Sequence, residues 1–137
     1  ASDVYKRQGK YNGTGWNSNW GKNTLVTASG DRTTGTYQPL GLDCSGFVDW
    51  AYRTAGVSNV LQGGGTWHQY NSTTPITAAQ LRPGDLGFIV NSSGRTTHVG
   101  IYLGKDSSGK RLWVHSQGGT GVSVSTCGFS KFRRVVN

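Results

Sequence analysis

The chain has 137 residues, a net charge of +8 and a pI of about 9.9. This length suits one domain with one core, and no apolar run approaches the ~18 residues of a membrane span. The six acidic residues are all aspartates without an evident acid/base pair, which weighs against a glycosidase that uses two carboxyl groups. The basic charge favours polyanions, but no motif supports nucleic-acid recognition.

Two segments precede the first predicted element. Residues 1–8 resemble the translation of a transposase adapter used in sequencing libraries, so we expect them to be non-native. We expect residues 9–137 to form a single domain that is truncated at its N-terminus. Residues 9–41 are rich in Gly, Asn and Thr with scattered aromatics, which predicts a long ordered loop lying over the domain.

A helix is predicted over residues 44–56. Apolar side chains recur there with helical spacing and form one face: Cys44, Phe47, Val48, Ala51 and Ala55. Asp43 or Ser45 can cap the N-terminus of this helix, and Gly56 can end it. The pattern therefore places Cys44 in the first turn and on the inward face.

The remaining chain is predicted to be mostly strands and turns. The segment 57–76 is predicted to be a loop, and Thr77 to cap a short helical turn through Leu81. Residues 82–85 read Arg-Pro-Gly-Asp, a turn. Apolar and alternating runs predict five strands: 86–90, 97–103, 111–116, 121–125 and 131–136. Residues 105–110 join the second and third of these as a hairpin.

The hairpin brings two histidines together. His98 and His115 are placed evenly about the turn, so we expect them to lie opposite each other on paired strands and on the same face. Val99 and Ile101 then point to the other face. We expect this apolar face to cover a core and the histidine face to meet the helix that carries Cys44.

These three residues are candidates for acyl transfer through a thioester, because a thiol at a helix N-terminus with a histidine base is the minimum apparatus. Cys44 is the candidate nucleophile, and the helix N-terminus and an imidazolium are expected to lower its thiol pKa. His98 is the candidate general base and then acid, and His115 orients the His98 ring. Backbone N–H groups near Cys44 are expected to hold the oxyanion.

The same residues admit a second interpretation. Cys44, His98 and His115 could bind zinc with an open fourth position, but no short-range ligand pair supports a metal site, and no cofactor is predicted. The other cysteine, Cys127, is expected to be a half-buried structural thiol rather than a disulfide partner.

Three sequence blocks resemble the NlpC-type (NlpC and p-sixty) cell-wall cysteine peptidases, in that family's order and spacing. They are Gly41-Leu42-Asp43-Cys44-Ser45-Gly46-Phe47-Val48, Leu81-Arg82-Pro83-Gly84-Asp85-Leu86 and His98-Val99-Gly100-Ile101-Tyr102-Leu103-Gly104. The resemblance implies a papain-like α+β fold, in which the cysteine helix packs on a five- to six-stranded antiparallel sheet. It also implies one catalytic domain that hydrolyses peptidoglycan stem peptides, usually between γ-D-glutamate and the diamino acid.

The resemblance also implies roles for individual residues. The family's catalytic triad falls on Cys44, His98 and His115. The remaining positions are expected to contact substrate: Asp43 and Ser45, which match positions that bind the free L-alanine amine of the stem, and Trp67 and His68 at the rim of the site.

The resemblance leaves other functions open. A cell-wall amidase or acyltransferase would use the same Cys-His apparatus, and a catalytically weak wall-binding module would keep only the fold. We expect a monomer that is secreted or associated with the wall of a Gram-positive bacterium. Stem peptides are the expected partners, and anionic wall polymers are further candidates.

Overall fold

The computed structural model describes residues 14–25, 35–39, 41–57, 65–117 and 121–136, so the suspected non-native segment 1–8 lies outside the described residues. Within these ranges the α-helices and strands follow in this order: β1 (Asn23–Leu25), β2 (Tyr37–Pro39), α1 (Cys44–Thr54), α2 (Thr66–Asn71), β3 (Thr74–Ile76), β4 (Leu86–Val90), β5 (Thr96–Lys105), β6 (Arg111–Gln117), β7 (Gly121–Ser125) and β8 (Lys131–Arg134). A short 3₁₀ helix, Ala78–Gln80, lies between β3 and β4 with Thr77 as its cap, which confirms the predicted helical turn.

The main sheet has six strands in the order β3-β8-β4-β5-β6-β7, and all neighbouring pairs are antiparallel. The five predicted strands are therefore confirmed as β4 to β8, and the α+β class with them. No helix in the described ranges is long and apolar enough to cross a membrane.

Helix α1 begins where the sequence places its cap. The Asp43 carboxylate accepts a hydrogen bond from the Gly46 N–H at 2.7 Å, which satisfies one of the donors that a helix N-terminus leaves without an intrahelical partner. The last helical residue is Thr54, and Gly56 follows with a φ of 75°, a conformation that suits glycine. The predicted helix is confirmed, two residues shorter than expected.

Helix α1 packs on the Val99 face of β5, which corrects one expectation. Its buried Phe47 and Val48 belong to one apolar core with Val99 and Ile101. The histidine face was expected to meet the helix, but a second core lies on that side of the sheet and contains Tyr102, Trp113 and Phe129. Helix α1 covers the Val99 face of β5, and the second core covers its histidine face, so both faces of the strand are covered.

The prediction of a loop over residues 57–76 is wrong for the part that the structure describes, 65–76, while 58–64 lie outside it. Helix α2 and strand β3 occupy this stretch. Gln69 of α2 is fully buried and donates to the Ser45 carbonyl at 2.9 Å. Strand β3 has only three residues and pairs with β8. Neither element has the length that gives a periodic pattern, so tertiary contacts determine them.

Of residues 9–41, expected to form a loop over the domain, the structure describes 14–25, 35–39 and 41, and this part is not entirely loop. Strands β1 and β2 pair with each other, and Trp20 is buried in the core beneath the helix. Gly15 fastens this segment to α1, because its N–H donates to Thr54 Oγ1 and its carbonyl accepts from Trp50 Nε1, both at 2.9 Å.

Candidate active site

The two histidines are in direct contact on one face of the sheet. His98 Nε2 and His115 Nδ1 lie 2.8 Å apart, and the two rings are nearly perpendicular, at 80°. His115 is only 1% exposed. A hydrogen bond of this length in a buried place fixes the orientation of both rings.

The register between β5 and β6 differs from the predicted one. Ile101 pairs with Val114, so His115 faces Gly100, and His98 is its diagonal neighbour. The paired residues nearest the turn are Lys105 and Arg111. The turn is therefore centred later in the sequence than the midpoint between His98 and His115. The expectation of direct opposition is therefore wrong, whereas that of a shared face is confirmed, because diagonal neighbours remain within reach of aromatic side chains.

The hydrogen bonds continue from His115 to a residue that the sequence analysis missed. His115 Nε2 lies 2.6 Å from Ser125 Oγ on β7, and Ser125 Oγ also accepts the Cys127 N–H at 3.3 Å. The one signal in the sequence is the alternation of Ser123 and Ser125 with valines along the predicted strand. This pattern places both serines on one face without indicating which residue they contact.

Phe129 is a second residue that the sequence did not reveal. Its ring stacks on His98, with centroids 5.5 Å apart at 11°, and meets His115 edge to face at 5.6 Å. Gly100 leaves the room for this contact, because a Cβ there would lie 2.7 Å from the Phe129 ring. Phe129 comes from an irregular segment between β7 and β8, where no periodicity predicts burial.

Cys44 lies in the first turn of α1, next to strand β5. Burial and the negative charge of Asp43 raise the pKa of the Cys44 thiol to about 11, while hydrogen bonds from the backbone N–H groups of Val99, Ser45 and Cys44 itself act in the opposite direction. The Val99 contact places the thiol beside the residue that follows His98. The expectation of a lowered thiol pKa is wrong, because desolvation outweighs the helix N-terminus here.

The pKa values of the two histidines are lowered, whereas that of the thiol is raised. Burial, and then the proximity of His115, lower the pKa of His98 to about 4, and burial lowers the pKa of His115. Both shifts disfavour the charged form of the side chain. The resting site at neutral pH therefore holds a neutral thiol and neutral imidazoles rather than a thiolate–imidazolium pair.

Two of the expected substrate residues have structural contacts at the start of α1. The Asp43 carboxylate caps the helix and accepts from Ser45 Oγ at 3.3 Å. Asp43 is half-buried, whereas Ser45 is buried. Asp43 thus lies close enough to the thiol for its charge to act on it, and Ser45 is hydrogen-bonded to Asp43.

The other two expected substrate residues lie on α2. Trp67 is 58% exposed, stacks on Tyr70 and lines an open cavity of about 530 Å³ together with Arg95 and Thr96. His68 is exposed and lies 3.4 Å from Ser72 of the same helix turn. Trp67 therefore borders a cavity two residues from His98 along β5, and His68 does not line that cavity.

The zinc interpretation gains no support from this geometry. His98 Nε2 and His115 Nδ1 point at each other, so these two nitrogens do not converge on a third point as metal ligands do. Within the described ranges, no group of three or more His, Cys, Asp or Glu side chains is arranged to hold a metal ion. Cys127 is a half-buried free thiol packed against the second core.

Comparison with known proteins identifies the family. A model of the NlpC/P60 family matches residues 19–135. The probable endopeptidase p60 of Listeria innocua is 36% identical over 94 residues, which cover 69% of this chain and 19% of that protein. The peptidoglycan DL-endopeptidase CwlO of Bacillus licheniformis is 32% identical over 95 residues, which cover 69% of this chain and 20% of that protein. The chain thus spans about a fifth of the length of these relatives.

Solved structures share the fold. The NlpC/p60 domain of the peptidoglycan hydrolase SagA has a TM-score of 0.51 at 33% identity and covers 70% of this chain and 78% of its own. An NLP/P60-family protein from Staphylococcus aureus has a TM-score of 0.55 at 26% identity, with 87% and 38% covered. RipD from Mycobacterium tuberculosis, a non-catalytic NlpC/p60 domain protein, has a TM-score of 0.54 at 21% identity, with 96% and 89% covered; this likeness is one of fold alone. The papain-like α+β arrangement is thereby confirmed, and the chain belongs to the NlpC/P60 family.

Proposed function

We propose that this chain is the catalytic domain of a peptidoglycan hydrolase, a cysteine endopeptidase that cleaves stem peptides between γ-D-glutamate and the diamino acid. The observation that carries the proposal is the contact between His98 and His115, together with the hydrogen bond to the Cys44 thiol from the backbone of Val99, the residue that follows His98. The names of the relatives, an endopeptidase and a peptidoglycan DL-endopeptidase, support the same reaction.

In the proposed first step, Cys44 Sγ attacks the scissile carbonyl while His98 takes its proton. His98 Nε2 is occupied by His115, so Nδ1 is the ring atom left to receive the proton. Because burial favours the neutral thiol and the neutral imidazole, the proton moves as the sulfur–carbon bond forms. His115 accepts the Nε2–H of the imidazolium that results and stabilises it in place.

The developing oxyanion is assigned to the first turn of α1. Asp43 already engages the N–H groups of Gly46 and Phe47, whereas those of Cys44 and Ser45 face the thiol. Donors fixed at this point stabilise negative charge on the attacked carbonyl oxygen.

The second half of the reaction regenerates the thiol. His98 gives its proton to the departing amine, the carbon–nitrogen bond breaks, and a Cys44 thioester remains. Water then attacks the thioester as His98 takes one water proton, the sulfur–carbon bond breaks, and His98 returns the proton to sulfur. The sum is one peptide bond and one water converted to an acid and an amine.

The substrate contacts are proposed on both sides of this centre. The half-buried carboxylate of Asp43 is suited to the free amine of the L-alanine end, and Ser45 acts through its hydrogen bond to Asp43. Trp67 is proposed to form the rim toward the rest of the stem peptide. His68 has no support from the structure for such a role.

The proposed substrate lies outside the cell membrane, so we propose that the protein acts as a secreted or wall-associated enzyme. Its net charge of +8 suits a wall that carries anionic polymers. A second cavity of about 500 Å³, whose lining includes Lys105, Lys110 and Arg111, offers positive charge to such a polymer.

Mass spectrometry of digested muropeptides tests the proposal. The endopeptidase reaction predicts two products: one ends in D-glutamate, and the other begins with the free amine of the diamino acid. Release of the whole stem peptide from the sugar would instead indicate an amidase. A product joined to an added amine would indicate an acyltransferase, and binding without any new mass would indicate a wall-binding module.

A further inference from the structure

Three polar side chains from neighbouring strands form a diagonal line of hydrogen bonds across one face of the sheet. His98 lies on β5, His115 on β6 and Ser125 on β7. The register places Ser123 directly opposite His115, so Ser125 is one diagonal step away, as His98 is on the other side. The two hydrogen bonds are 2.8 and 2.6 Å long, and the second is shorter than the usual range of about 2.7–3.2 Å for an N–H donor.

We propose that Ser125 is a positioning residue that holds His115 in the tautomer with its proton on Nε2, so that His115 Nδ1 accepts the Nε2–H of His98. This inference rests on the proposed function, because it assigns Ser125 a part in the chemistry at Cys44. It adds to the histidine pair a residue two strands away from His98.

The direction of the hydrogen bonds follows from what His98 must do. To receive the thiol proton, His98 Nδ1 must be unprotonated, so the single proton of the neutral ring sits on Nε2. This Nε2–H needs an acceptor, which is His115 Nδ1 at 2.8 Å. Neutral His115 then carries its proton on Nε2 and must donate it, and the atom within reach is Ser125 Oγ at 2.6 Å.

The opposite direction would also satisfy every hydrogen bond but would stop the reaction. If Ser125 donated to His115 Nε2, His115 would donate from Nδ1 to His98, and the His98 proton would sit on Nδ1, facing the thiol. The base would then have no lone pair for the proton of Cys44. Activity therefore depends on Ser125 acting as an acceptor.

The surroundings suit Ser125 to this role. The Cys127 N–H donates to Ser125 Oγ at 3.3 Å, which fixes the oxygen and leaves its second lone pair for His115. His115 is 1% exposed, so in the wild type its Nε2 depends on the hydroxyl rather than on bulk water. A buried Nε2–H without a hydrogen-bond partner is unfavourable. Without Ser125, the His115 ring is therefore expected to change tautomer or to rotate.

Kinetics of four forms of the full chain form the first half of the test: wild type, Ser125→Ala, Ser125→Thr and Ser123→Ala. Ser125→Ala should lower kcat on a muropeptide by roughly tenfold, the factor expected from losing one hydrogen bond, with little change in KM. Ser125→Thr keeps a hydroxyl and should restore most of the rate. Ser123→Ala is the control, because it removes a hydroxyl from the same face of β7. Ser123 lies opposite His115 but is not its hydrogen-bond partner, so kcat should remain near the wild-type value.

Nitrogen-15 NMR of the imidazole rings is the second half, and it needs no substrate. Wild-type His115 should show its proton on Nε2, and Ser125→Ala should show a mixture of tautomers. A wild-type His115 protonated on Nδ1 overturns the proposal. So does a Ser125→Ala enzyme with wild-type kcat, or one that is slow while its His115 tautomer is unchanged.

The two halves separate this inference from the proposed function. If the wild type cleaves no muropeptide, the proposed function fails while the tautomer of His115 still decides the role of Ser125. If Ser125→Ala does not fold, the wild-type tautomer and the activity of Ser125→Thr decide it. In that case an Nε2 proton together with an active threonine variant supports the proposal, and an Nδ1 proton or an inactive but folded threonine variant overturns it.

Discussion

At the scale of single residues, burial sets the protonation state of the proposed catalytic pair. A buried imidazole resists the charged form, so the pKa of His98 falls from its ordinary 6.5 to about 4. His98 therefore stays neutral, and competent as a base, as the pH falls well below 6.5. The rate should consequently be insensitive to pH in the range where an ordinary histidine becomes protonated.

The pH dependence of kcat/KM tests this state. Between pH 7.5 and 5.5 we expect almost no fall in kcat/KM, because His98 remains neutral. A base with an ordinary histidine pKa would lose about tenfold over the same range. Circular dichroism at pH 5.5 serves as the control for folding, and an acidic limb centred near pH 6.5 in a folded enzyme would refute the shift.

Alkylation of Cys44 by iodoacetamide tests the other half of the pair. With a thiol pKa of about 11, the thiolate fraction rises with every increase in pH across the neutral range. The alkylation rate should therefore climb by about tenfold per pH unit between pH 7 and 9 without a plateau. Measured in a Cys127→Ser background, a plateau with a midpoint below pH 7 would instead indicate a preformed thiolate–imidazolium pair.

At the scale of secondary-structure elements, the site depends on how closely β5 approaches the segment before β8. Gly100 allows this approach, since a Cβ there would lie 2.7 Å from the Phe129 ring and 3.1 Å from the His115 Cβ. Gly100→Ala should therefore displace the ring that stacks on His98. Overpacking of this kind typically costs about 1–3 kcal/mol of stability, and we expect a fall of roughly tenfold or more in kcat/KM through misplacement of the base.

A second glycine gives the matched control. A Cβ on Gly128 would meet nothing within 4 Å, so Gly128→Ala should change stability by less than about 0.5 kcal/mol and leave kcat/KM near the wild-type value. Thermal unfolding and muropeptide kinetics measure both variants. Equal behaviour of the two would show that the close contact at Gly100 does not position the histidines.

The local elements of this fold could be predicted because their signals lie in short stretches of sequence. Asp43 and the apolar spacing after it define α1, and the turn before β6 defines the hairpin that carries both histidines. The register could not be predicted from the spacing of His98 and His115, because it depends on where the turn closes and on the irregularity between Tyr102 and Gly104.

Other parts of the site are formed by contacts between segments that are distant in the sequence, and such contacts give no local sequence pattern. Ser125 and Phe129 contact the histidines only after β7 and the segment before β8 have packed onto the sheet. The thiol pKa was predicted in the wrong direction for a related reason. Sequence shows a helix N-terminus but not the depth of burial, and burial is the larger effect at Cys44.

At the scale of the whole molecule, an ion pair between a partly exposed arginine and a buried aspartate joins β8 to the turn before β4. Asp85 is buried and accepts two hydrogen bonds from Arg134, both at 2.8 Å, and a third from the Arg82 N–H. The family block around Asp85 is therefore structural here. It holds β8 and β4 together at the side of the sheet away from β7.

Removal of the Arg134 guanidinium tests how much this ion pair contributes to stability. Arg134→Gln leaves a buried carboxylate without its charged partner, so the midpoint of thermal unfolding should fall clearly. Lys131→Gln removes one positive charge from an exposed position of the same strand and should shift the midpoint little. If both variants unfold at the same temperature, the contact between Arg134 and Asp85 stabilises the fold no more than any other positive charge on β8 does.

The central claim is that Cys44 is the nucleophile of this domain, and kcat/KM of Cys44→Ala on a muropeptide tests it most directly. Because Cys44 is the thiol at the start of α1 and Cys127 packs against the second core instead, the variant should lose activity by about 10³-fold or more. Cys127→Ser, which removes the other free thiol but keeps its backbone N–H, should stay near the wild-type value. A folded Cys44→Ala enzyme with wild-type kcat/KM would contradict the account.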